Sequence, residues 1–129
     1  MSASSRSTDL VAESAPVLVL ISADPRVSGR AFEAMRIALG VVAGENDVTI
    51  VLTGAAVHLL DGDTDDQVDG DDIAKFRENL KRLGVPFHAE KSALPVDGEG
   101  WNEEKHRVIP VSPDEIAALV GKAERFIIF

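Results

Sequence analysis

Five short apolar runs constrain the fold more than any other feature of the chain: VLVLI (17–21), VTIVL (48–52), VPFHA (85–89), VIPV (108–111) and RFIIF (125–129). Most are continuous rather than alternating, as expected of strands covered on both faces in a parallel sheet. Segments with helical periodicity separate them, so the chain reads β-α-β-α-α-β-linker-β-α-β. That order predicts an α/β fold, a three-layer α/β/α sandwich around a five-stranded, mainly parallel sheet. With 129 residues, 45% of them hydrophobic, the chain suffices for one domain with a sizeable core.

The intervening helices carry their own boundary signals. After the first strand, Ala31, Met35, Ala38, Leu39 and Val42 form an apolar stripe, Arg30, Glu33 and Arg36 lie mostly opposite, and Gly44 is a stop. From about Asp71, acids at the positive end of the helix dipole precede Ile73, Phe76, Leu80 and Leu83, and Gly84 terminates the run. In SPDE, Ser112 is the cap, Pro113 suits the first helical position, and Glu115 closes a capping box. Ile116, Leu119, Val120 and Ala123 are the expected buried face of that last helix.

At the N-terminus, MSASSRSTDLVAES is Ser-rich without the apolar centre of a secretory signal, and reads as a flexible tail over residues 1–15 ahead of a domain at 16–129. No apolar run approaches the ~18 residues of a membrane span, so a cytoplasmic protein is expected. The formal charge is −9, but seven of the 22 acids fall between Asp61 and Asp72, leaving 15 acids against 13 bases elsewhere. The bases are scattered, which argues against a nucleic-acid partner. The linker from Lys91 to Arg107 is polar and irregular, with Trp101 its large apolar anchor.

The acidic stretch DGDTDDQVDGDD raises the question of calcium. Counted from Asp61, the oxygen-bearing positions of an EF-type loop fall on Asp61, Asp63, Asp65, the Gln67 carbonyl, Asp69 and Asp72. Asp66 stands where such loops need glycine, Asp72 replaces the bidentate Glu, and the preceding GAAVHLL is short. The stretch therefore reads as a solvated connector whose last acids start a helix, with calcium binding as the alternative.

Ligands of parallel α/β folds sit at the carboxyl ends of the strands. Here those ends offer Ser22, Ala23 and Asp24, Thr53 and Gly54, Glu90, Lys91 and Ser92, and Ser112. Asp24, Thr53 and Glu90 are the candidate ligand-binding residues. Each position also has a purely structural role open to it: a turn at Asp24-Pro25, a helix start at Thr53-Gly54, a cap at Ser112. His58, His88 and His106 show no metal-binding spacing, and no nucleophile elbow, P-loop or dinucleotide motif occurs, so no catalytic residue, metal or cofactor is assigned. The absence of cysteine removes disulfides, thiolate metal sites and thiol nucleophiles together.

Taken in order, VLVLISADP, AFEAMRIALGVV, NDVTIVLTGAAVHLL, FRENLKRLGVPFHAEKSAL and VIPVSPDEIAALVGKAERFIIF resemble the DsrE/DsrF-like family, the sulfur-relay fold that includes the TusBCD subunits. The resemblance spans roughly residues 16–129. It implies a parallel α/β subunit that assembles into trimers or hexamers and, in active members, a persulfide-carrying cysteine just after the third strand. Here that place falls at Ala89 and Glu90. Three readings follow: a non-catalytic subunit, as a homo-oligomer or the scaffold of a cysteine-bearing paralogue; a small-ligand-binding module at the strand ends; or an enzyme using Glu90, Asp24 or His88 in acid-base work.

Overall fold

The computed structural model describes residues 16–96 and 100–129. The expected N-terminal tail, residues 1–15, lies outside them. In chain order the elements are β1 (Val17–Ile21), α1 (Arg30–Ala43), β2 (Val48–Leu52), a 3-10 helix (Gly54–Leu60), α2 (Gly70–Arg82), β3 (Phe87–Glu90), a 3-10 turn (Lys91–Ala93), β4 (Val108–Val111), α3 (Pro113–Lys122) and β5 (Arg125–Ile128). The strands form one sheet in the order β4-β3-β2-β1-β5. All four pairings are parallel, so the expected α/β/α architecture holds.

Register sorts the strand residues onto two faces. Val19, Ile50 and Phe87 lie side by side, as do Ile21, Leu52 and Ala89, all fully buried. They share a core with Ala31, Ala34, Met35 and Ala38 of α1 and Ile73 and Leu80 of α2. Burying each large apolar side chain contributes ~1.5–3 kcal/mol. Phe76 stacks on Phe32 with ring centroids 5.5 Å apart, joining α2 to α1. The opposite face presents Leu18, Val51 and Val111, buried but outside that core. The crossover from β4 to β5 runs against the direction of the earlier ones, and right-handed connection places α3 on this second face.

Three packing expectations need correction. Leu83 is 55% exposed, because α2 ends at Arg82 and the chain turns away through Gly84 at φ 76°. No residue of α3 is buried; Ile116, Leu119 and Val120 reach only intermediate exposure. The run RFIIF is not covered on both faces, since Phe126 and Ile128 point outward at 54% and 57% exposure. The capping box of α3 forms as read: the Glu115 N–H donates to Ser112 Oγ at 3.2 Å and the Ser112 N–H to Glu115 Oε1 at 2.8 Å. These bonds hold the Glu115 carboxyl below its ordinary range.

Candidate functional site

The polar groups at the strand ends divide into two sets. Beyond β1, Asp24 accepts hydrogen bonds from the Arg26 backbone N–H at 2.9 Å, Nε at 3.0 Å and Nη2 at 2.9 Å. The Arg26 guanidinium holds the Asp24 carboxyl below its usual range. Asp24 thus closes a turn, as its position before Pro25 suggested. Beyond β2, the Thr53 hydroxyl lies 3.4 Å from the Ile21 carbonyl, and Gly54, at φ 53°, donates its N–H to Glu90 Oε1 at 3.0 Å. Thr53-Gly54 and Glu90 are therefore brought together across β2 and β3, whereas Asp24 turns towards Arg26. Ser22 Oγ donates to the Phe129 carbonyl at 3.1 Å, so that hydroxyl fastens the C-terminal strand.

On the Arg26 side lies a cleft of about 370 Å³, walled by Arg26, His58, Asp61, Asp63, Asp66 and Trp101, with Pro95 and Gly100 at its edge. His58 Nδ1 is 3.1 Å from both carboxylate oxygens of Asp61, one turn on along the 3-10 helix. Engagement of Nδ1 leaves Nε2 as the ring's second donor or acceptor. The linker is zipped onto this helix: Trp101 Nε1 donates to the Val57 carbonyl at 2.7 Å, Asn102 N–H to Leu60 at 2.7 Å, and Gly62 N–H to Gly100 at 2.7 Å. Residues 97–99 of the linker lie outside the described ones.

Beneath the cleft, Arg77 is 2% exposed. Its Nη1 donates to the carbonyls of Leu59 and Asp61, both at 2.8 Å, and its Nε to Glu104 Oε1 at 3.0 Å. Glu104 Oε1 also lies 3.0 Å from His106 Nε2. Partial burial raises Glu104, but the bonds from His106 and Arg77 outweigh it and hold the carboxyl below its ordinary value. His106 is pushed down chiefly by burial, and His88 likewise. Arg77 thus pins the backbone that aims Asp61 at His58. The signals for both were present: His58 and Asp61 stand at i, i+3, and Arg77 falls four residues after Ile73, inside the apolar stripe of α2.

The acidic stretch is an ordered connector. Asp63 Oδ1 accepts the Asp65 N–H at 2.9 Å, Gln67 Nε2 donates to the His58 carbonyl at 2.6 Å, and Val68 N–H reaches Pro25 at 2.8 Å. A Cβ on Gly70 would collide with the Thr64 carbonyl oxygen, so the entry to α2 requires glycine. Asp71 and Asp72 occupy the first turn of α2. Among the described residues no three His, Asp or Glu side chains converge as metal ligands.

The sequence pattern of the DsrE/DsrF-like family matches residues 15–129. The chain belongs to the DsrE/DsrF-like family. The crystal structure of the ychN protein from E. coli superposes with a TM-score of 0.69 at 20% identity, over 89% of this chain and 99% of that one, a likeness of fold. No curated protein matches the sequence. DsrE-like proteins commonly assemble into complexes. This DsrE-like chain has no cysteine; at the end of its third strand Ala89 is fully buried and Glu90 is tied to Gly54. Among the described residues, no helix of this family member is long and apolar enough to cross a membrane.

Proposed function

We propose that this protein is a non-catalytic DsrE-like subunit acting in the cytoplasm, an oligomeric scaffold or partner in a sulfur-relay-type assembly that carries no persulfide itself. The observation that carries this reading is Glu90. Where the family resemblance implies a sulfur-bearing thiol, this chain has a carboxylate, and Glu90 Oε1 accepts the Gly54 N–H at 3.0 Å. A carboxylate in place of a thiolate cannot form a persulfide. The family's habit of assembly supports an oligomer, either of this chain alone or with a cysteine-bearing paralogue.

Native mass spectrometry of the protein, purified undenatured from its own host, tests the reading. A homo-oligomer or a complex with a cysteine-bearing DsrE-like subunit is the expected result. A monomer retaining a bound metabolite would overturn it. That outcome would favour a second reading, a small-ligand-binding module, which the cleft with the His58–Asp61 pair and Trp101 supports. Ligand binding there raises the melting temperature with concentration.

A further inference from the structure

Residues 100–107 cross the molecule as a strap held by contacts at both ends. At one end Trp101 and Asn102 bond to the carbonyls of Val57 and Leu60; at the other, the Phe87 N–H donates to the Arg107 carbonyl at 2.9 Å. Between them the Asn102 side chain accepts the His106 N–H at 2.9 Å and donates to the His106 carbonyl at 3.0 Å. Lys81 Nζ donates to the Glu104 carbonyl from α2. The residue that the strap buries is His106, 5% exposed. Its Nε2 lies 3.0 Å from Glu104 Oε1, which also accepts from Arg77 Nε. A carboxylate only accepts, so Nε2 carries the ring proton and Nδ1 is bare. Nδ1 is buried and has no hydrogen-bond partner.

A second proton on this ring would be a buried donor without an acceptor. The charged groups facing it are Glu104 on the strap and Arg77 and Lys81 on α2, while β3 presents the edge-on ring of Phe87 at 5.8 Å. Two cations and one shared carboxylate leave an imidazolium poorly answered there. We propose that residues 100–107 are a proton-sensitive strap, in which His106 takes up a proton only by leaving its pocket and so detaches Trp101 from the cleft. Outside, water accepts from Nδ1. Burial pushes the ring's proton affinity below the ordinary 6.5 in the closed form, whereas the open form keeps the ordinary value, so acid favours opening. Arg77 keeps its bonds to the carbonyls of Leu59 and Asp61, so the floor of the cleft stays while the wall made by Trp101 leaves.

Hydrogen exchange in the full chain tests this, because Trp101 carries the sole indole N–H of the sequence and that proton is bonded to Val57. The Trp101 indole and Asn102 amide protons are expected to exchange more readily than the amides of β1 and β2. Their opening equilibrium, corrected for the intrinsic exchange rate, should be about tenfold larger at pH 5.5 than at 7.5. His106→Gln removes that pH dependence, and His88→Gln, on the opposite face of the sheet from Phe87, keeps it. Strap protons that exchange only together with the strands, or an opening equilibrium that is flat between the two pH values, overturn the proposal. A dependence that survives His106→Gln does so too. Should that variant fail to fold, the ring nitrogen resonances of the wild-type chain decide: a proton on Nε2 with Nδ1 bare is expected, and a proton on Nδ1 at neutral pH overturns the strap.

Discussion

Arg77 shows how one side chain can sit in an apolar stripe without weakening it. Buried cations are costly unless they are paired and hydrogen-bonded, and here two carbonyls bind Nη1 and a carboxylate binds Nε. Arg77→Met is expected to lower stability by about 3 kcal/mol, because the carbonyls of Leu59 and Asp61 lose their partner inside the fold. Urea unfolding measures this. Half-buried His88 and buried His106 set a second expectation. His88 and His106 have lower affinity for a proton in the folded chain than the ordinary value of 6.5, chiefly through burial. The unfolded chain therefore binds more protons once the pH drops below about 6.5, and stability falls from there towards the folded-state values. Glu104, held below its ordinary 4.5, acts in the same direction at lower pH. The urea midpoint should be lower at pH 5.5 than at 7.5, and a flat profile would contradict the assignment.

Among the elements, the clearest local signals are those in which each residue acts on its near neighbours. Ser112, Pro113 and Glu115 form the capping box they spell, since all its partners lie within three residues. Ser112→Ala should cost about 1 kcal/mol, seen as a lower melting temperature, and Ser112→Asn should recover most of it. The strands at 17–21, 48–52 and 108–111 appear where the apolar runs stand. The third is displaced to Phe87–Glu90, because Val85 still bonds back to Leu80 in the turn that closes α2. The acidic connector illustrates the converse. Alternating aspartates met the spacing of a calcium loop, but what shapes the stretch is the close approach of Gly70 to Thr64 and the bond from Val68 to Pro25, which spacing does not announce.

For the whole molecule, α3 is the one helix that the described residues place on the second face of the sheet. Exposed Phe126 and Ile128 on an edge strand are surfaces that isolated subunits rarely keep bare. If self-association covers them, the melting temperature should rise with protein concentration, as mass action requires of any oligomer whose folded form is favoured by assembly. A melting temperature independent of concentration over a hundredfold range would speak against it.

Read alone, the sequence determined the strand runs, the helix stops and caps, the α/β class, the likeness to the DsrE/DsrF-like family and, through its lack of cysteine, the exclusion of thiol chemistry. These follow from local periodicity, short-range capping and composition, which need no knowledge of what lies across the fold. Only the tertiary structure decided that Glu90 meets Gly54, 36 residues away, that Arg77 binds the carbonyls holding Asp61 against His58, and that no residue of α3 is fully buried. Those contacts join residues far apart in the chain, and their geometry is set by strand order and crossover direction, which no single segment encodes.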